Sequence, residues 1–188
     1  MKRLILIVFL LAVNIVVAQS KEKLPYFEIP EYSENFTAGT VAARMVDALG
    51  FRYYWVSDSL TDNDLVYKAN DEGRSTEETI QHIYDLSKII VNSTLKQPNS
   101  REKETLSYEV MRSKTLTNLK TAADILRASD DISQYKIIFG EQEIPFWNQV
   151  NGPIADAIWH CGQIVIYRRT TGNPISPKVN HFSGKVKA

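Results

Sequence analysis

Apolar residues recur every three or four positions along four separate stretches of this chain, and that period belongs to helices that pack through one face. In the first stretch, Phe36 to about Ser57, the recurring positions are Val41, Met45, Ala48, Leu49 and Tyr53. Gly50 interrupts it at a cost of about 1 kcal/mol relative to alanine, so a kink or an early end there stays open. The second stretch opens on Ser75-Thr76-Glu77-Glu78, a capping box in which Ser75 accepts from the Glu78 amide and the Glu78 carboxylate reaches back. Ile80, Ile83, Leu86 and Ile90 then share one face as far as about Thr94. After the break at Pro98-Asn99-Ser100, Leu116, Leu119, Ala123 and Leu126 mark a third helix ending near Asp130. Pro153 suits the first position of a last helix, which runs through Tyr167 to about Arg169 and stops at Gly172-Asn173-Pro174. Between them, Tyr135 to Phe139 followed by Gly140 reads as a short strand or an irregular crossing. Four long helices without a clear strand pattern predict an all-α fold, a four-helix bundle.

The ends of the chain read differently. Met1-Lys2-Arg3 precedes an apolar run from Leu4 to Ala18, a basic region and hydrophobic core of the kind an export signal carries. The run is shorter than the roughly 20 residues of a transmembrane helix. Residues 1–18 are therefore expected to be a signal peptide cleaved before Gln19, leaving no stable membrane span and a periplasmic or extracellular protein. Residues 19–35, with Pro25 and Pro30, are expected to form an extended lead-in on the surface, residues 36–171 the bundle, and residues 172–188 a loosely ordered tail. The 188 residues make one domain. The 22 basic residues balance 22 acidic ones, so no overall positive field exists to hold nucleic acid. Cys161 is the only cysteine, which excludes an intramolecular disulfide.

The last helix carries the chemistry. At 100° per residue, Ile154, Ile158, Cys161 and Val165 share one stripe and Asp156, His160, Ile164 and Tyr167 the next. Trp159, Ala155 and Ile166 make the remaining circumference apolar, so the helix is expected to be central and its ionisable pair to need partners. Asp156 and His160, four residues apart, lie one above the other and can grip one ion. His82 lies at the edge of the second helix's apolar face, where a bundle can bring it opposite His160. Two imidazoles and a carboxylate would fill three positions of a divalent metal and leave the others to water or substrate. The plainer alternative is a hydrogen-bonded Asp156–His160 pair with His82 half-exposed. His181, in the tail, reads as solvated. Cys161 points about 100° from His160 and reads as a packing residue. Trp147, Trp159 and Phe146 also read as packing residues. Arg168 and Arg169 lie in the last turn, where they meet the helix dipole or an anionic substrate.

Two segments resemble the DinB/YfiT-like superfamily. Ser75 to His82 is similar to that family's second helix, whose histidine is its first metal ligand, and Gly152 to Ile164, running on to Tyr167-Arg168-Arg169, is similar to its last helix with the pattern H-x-x-x-H-x-G-Q-I. The likeness spans about Phe36 to Arg169, and His160-Cys161-Gly162-Gln163-Ile164 is its most specific part. Asp156 stands where most members have a histidine, and a carboxylate there can still ligate Zn²⁺, Ni²⁺, Mn²⁺ or Fe²⁺. The resemblance implies a metal-dependent enzyme, a hydrolase or a thiol-dependent S-transferase, acting on a small molecule and holding its metal with His82, Asp156 and His160. Export, away from cytoplasmic thiols, favours hydrolysis or ligand binding over thiol transfer. The rival is a non-catalytic helical bundle with a degenerate metal site. Association into a homodimer through a helix face suits either reading.

Overall fold

The computed structural model describes residues 23–102 and 104–187, and the expected signal peptide lies outside them. The chain is mostly helical, as its periodicity requires. Among the described residues there are four long helices: α1 (Ala38–Val56), α3 (Thr76–Thr94), α4 (Tyr108–Arg127) and α6 (Ala155–Thr171). A short α2 (Asp62–Val66) sits in the connector after α1, and a single turn, α5 (Trp147–Gln149), leads toward α6. Local chemistry starts each long helix except the last. Thr37 and Thr40 cap α1 reciprocally, Ser75 and Glu78 cap α3 as expected, and the Ser107 hydroxyl accepts from the Val110 amide at α4.

Contacts between helices set their directions. The Asp47–Arg127 and Asp58–Arg112 ion pairs make α4 antiparallel to α1. Lys114 over the Tyr84 ring and Asn118 bonded to Ser87 make α3 and α4 parallel, so the chain returns the length of the molecule between them. Gln149 donates to the Ile90 carbonyl while Asp156 faces His82, which makes α6 antiparallel to α3. Arg168 reaches the Trp55 and Val56 carbonyls, so α6 is parallel to α1. The core between them is Val46, Leu49, Tyr53, Ile80, Ile83, Ile90, Leu116, Leu119, Leu126 and Ile164, all fully buried. Each such Leu or Ile contributes about 1.5–3 kcal/mol relative to exposure.

Two features of α1 differ from expectation. Its buried face is Ala42, Val46, Leu49, Tyr53 and Val56, whereas Val41 is 48% exposed and Met45 and Ala48 are only partly covered. The helix is apolar on two sides, and periodicity alone does not say which side its neighbours take. It also runs unbroken through Gly50, because the glycine serves packing: a Cβ there would lie 2.5 Å from the Tyr26 ring. Tyr26 has φ +75°, lies buried on Gly50 and donates to Asp47, which also pairs with Arg127 at 2.8 Å.

Gly39 marks a closer approach still. A Cβ would lie 2.4 Å from both the Leu126 and Ser129 carbonyl oxygens, which are main chain and cannot swing aside. Gly39→Ala is expected to lose about 1–3 kcal/mol through forced separation of α1 from the end of α4. A urea midpoint lowered at unchanged slope would show this, and an unshifted midpoint would refute it.

The segment before α6 differs too. Pro153 does not open the helix; Val150–Ile154 forms a wide π turn joined to α5, with Gly152 non-helical at φ −95°, ψ −107°. Pro153 lacks the amide for a regular ladder, and Gly152 absorbs the kink. Nor is α6 central: Trp159 and Ile166 are 75% and 54% exposed because α6 packs on α1 and α3, with the short α2 at its end, and leaves its other side to solvent. Trp147, at 81%, is exposed as well, and only Phe146 of the three expected packing aromatics is buried. Tyr135–Phe139 resolves as a strand, β1 (Ile137–Phe139), paired antiparallel with β2 (Gln142–Ile144).

The tail is a correction. Instead of being loosely ordered it forms a hairpin, β3 (Val179–Asn180) with β4 (Lys185–Val186), docked on the lead-in. The Ile29 amide donates to the Gly184 carbonyl, the Val186 amide donates to Glu28, and Lys185 pairs with Glu31. Gly184, at φ +69°, turns the chain where a Cβ would meet Ile29 at 2.5 Å. The lead-in, described from Lys23 onward, is not simply extended on the surface as expected: it turns at residues 25–28 and buries Tyr26 and Ile29.

Candidate metal centre

His82, Asp156 and His160 come together. The first lies in the second turn of α3 and the other two in the first two turns of α6, where the antiparallel pairing of these helices sets them face to face. Their donor atoms all lie within 4.8 Å of one another. The Asp156 carboxylate sits between the two rings, with Oδ2 3.1 Å from His82 Nε2 and Oδ1 3.4 Å from His160 Nε2. The rings meet edge to face, 4.7 Å apart.

The two carboxylate–imidazole separations suit a shared cation. Ligand atoms about 2.1 Å from an ion are about 3.4 Å apart at tetrahedral angles and about 3.0 Å apart at right angles. The orientation of His160 points the same way. Its Nδ1 is 2.6 Å from Gln163 Oε1, an acceptor, so Nδ1 carries the proton that makes this bond. In a neutral imidazole Nε2 then presents a lone pair to the carboxylate oxygen, an opposition that a proton or a metal ion between them relieves.

The charge environment is mixed. His160 is 9% exposed, whereas the His82 and Asp156 side chains are 29% and 44% exposed. The expected burial therefore holds for the histidine and not for the carboxylate, whose open side faces solvent. Four grooves, of about 780, 390, 610 and 530 Å³, are lined by other residues. His181 is remote from the cluster, edge-on to Phe51, where burial and then Arg52 lower its pKa. Cys161 is 2% exposed, and burial pushes its thiol up to about 12, which leaves it inert as a nucleophile or ligand.

Gln163, beside the site, and Asp47, away from it, carry contacts that the sequence pattern did not disclose, and the role expected of Arg168 differs from the one it has. Gln163 orients His160 from one turn along the same face, and its i,i+3 spacing was the available signal. Arg168 is neither a dipole ornament nor a substrate contact: it is 4% exposed and spends its guanidinium on the carbonyls that end α1. Asp47, fully buried on α1, was passed over although an acid amid apolar positions is itself a signal.

Gln163→Leu frees the His160 ring to turn while keeping the side chain's bulk. A loss of metal affinity of about 10–100-fold is expected with the fold unchanged. Competition titration against a chromophoric chelator measures it, and wild-type affinity in the variant would remove Gln163 from the site.

Compared with family models, curated proteins and solved structures, the chain matches none.

Proposed function

We propose that His82, Asp156 and His160 hold a divalent metal ion and that the protein is an exported DinB/YfiT-like four-helix bundle acting as a metal-dependent hydrolase on a small molecule. One observation carries the reading: a carboxylate inserted between two imidazole Nε2 atoms that come from different helices, at 3.1 and 3.4 Å. Two neutral nitrogens and one carboxylate suit Zn²⁺, Ni²⁺, Mn²⁺ or Fe²⁺. When bound, such an ion supplies Lewis acidity toward water or a polar substrate group. The chain's own part is to hold His160 through Gln163, to bring His82 across from α3, and to leave the Asp156 side open to solvent. Hydrolysis is favoured over thiol transfer because export, read from the Met1–Ala18 pattern, takes the chain away from cytoplasmic thiol co-substrates.

A second reading has its own support. Because Asp156 Oδ2 lies 3.1 Å from His82 Nε2, an ordinary hydrogen-bond distance, a non-catalytic bundle with a degenerate site accounts for the same contacts as a hydrogen-bonded triad. Elemental analysis separates the two. The purified exported chain and its His160→Ala variant would be loaded with each of the four ions and desalted. Near-stoichiometric metal in the wild type, lost in the variant, is the expected result and would justify a hydrolase screen. No retained metal in either would favour the second reading.

A further inference from the structure

Among the described residues the outward side of α1 has no partner. Tyr32, Phe36 and Trp147 are 79%, 95% and 81% exposed there, beside the half-exposed Val41. At about 150–250 Å² per aromatic side chain, these groups present on the order of 500 Å² of largely apolar surface. That is at the upper end of what a monomer exposes in one patch and well over half of the roughly 800 Å² that each partner contributes to a standard interface.

We propose that this face joins two copies of the chain in a two-fold dimer, a proposal independent of the metal reading. The shape is self-complementary. Phe36 rises between two grooves, of about 390 and 530 Å³, and Phe36, Val41 and Met45 line both. A ridge flanked by slots is what an isologous interface needs, since each copy supplies both halves of the contact. The first groove has no charged lining residue. The rim carries both signs: Arg44, which donates to the Pro30 carbonyl and lies over the Tyr32 ring, lines the second groove, Glu34 lies between its lining residues Ser33 and Asn35, and neither makes an ion pair among the described residues. A face with unpaired charges of both signs pairs with itself about a two-fold axis. An anionic bilayer fits less well, because Arg127 is committed to Asp47 and Glu31 and Glu34 stand beside the aromatics.

Sedimentation equilibrium of the purified exported chain between about 1 and 100 µM tests this. The expected result is the mass of two chains at the upper end, with association weakened at least about 100-fold in Phe36→Glu/Trp147→Glu. Both side chains are almost wholly exposed, so circular dichroism of the variant should match the wild type. A Trp159→Glu control, on α6 and lining neither groove, should still dimerise. A single-chain mass throughout would overturn the proposal, as would a dimer that survives in the double variant. A monomer that co-sediments with phosphatidylserine vesicles through the same two residues would assign the face to a membrane and overturn it as well.

Discussion

Arg168→Met is expected to lower the unfolding free energy by about 3–5 kcal/mol, the largest effect of any single substitution considered for this protein. The last carbonyls of a helix have no partner within it. At the end of α1 those of Trp55 and Val56, with the Asp58 carbonyl just beyond, accept from Arg168 Nη1 at 2.8, 3.2 and 2.9 Å. The Nε of the same guanidinium donates to the Asn173 carbonyl at 2.7 Å and so also ties the chain beyond α6. Methionine keeps the apolar stem and fills similar space, but it leaves these acceptors buried and unpaired. For a domain of this size the loss corresponds to a fall in Tm on the order of 10 °C. Arg168→Lys should recover only part of it, because an ammonium cannot reproduce the planar fork. Thermal and urea unfolding of the three proteins measure this, and a methionine variant within about 1 kcal/mol of wild type would show that water serves the carbonyls equally well.

The second large effect is conditional on metal. At a free ion concentration about 100-fold above its dissociation constant, binding to the native state alone adds about 2.7 kcal/mol of stability. That raises Tm by about 5–10 °C. Asp156→Ala should abolish the rise, since it removes the one anionic ligand and the atom pair that faces both imidazoles. In the absence of metal the same substitution should change stability by no more than about 1 kcal/mol, because a carboxylate 44% exposed to water makes weak ion pairs. The two arms discriminate between the readings. If the triad is only a hydrogen-bonded structural contact, Asp156→Ala destabilises the metal-free protein and added Zn²⁺ or Ni²⁺ moves neither Tm. Differential scanning fluorimetry in chelator and in titrated metal gives both measurements.

What was legible in the sequence follows from how local each determinant is. The capping box at Ser75 and Glu78 involves atoms three residues apart, so its sequence pattern nearly specifies its geometry. Helix existence along α1, α3, α4 and α6 follows from the period of apolar residues, and the i,i+4 relation of Asp156 and His160 follows from helix geometry. These survive any packing arrangement that keeps the helices. The inward side of α1 did not survive, because Val41, Met45 and Ala48 are as apolar as Ala42 and Val46, and the choice between them belongs to α3, α4 and α6. The open question at Gly50 has the same origin: along the chain a glycine reads equally as a break or as a close contact, and only the arrival of the Tyr26 ring decides.

From the sequence alone came the helices, the Ser75–Glu78 cap of α3 and the pairing of Asp156 with His160, because each depends on residues within one or two helical turns. The tertiary structure alone decided that His82 meets that pair, that Arg168 closes the end of α1, and that the tail clasps the lead-in. Those contacts join residues 74, 112 and 155 positions apart. Their free energy appears only once helix directions and rotations are set by burial of the whole core, a cooperative quantity that no local window of residues contains.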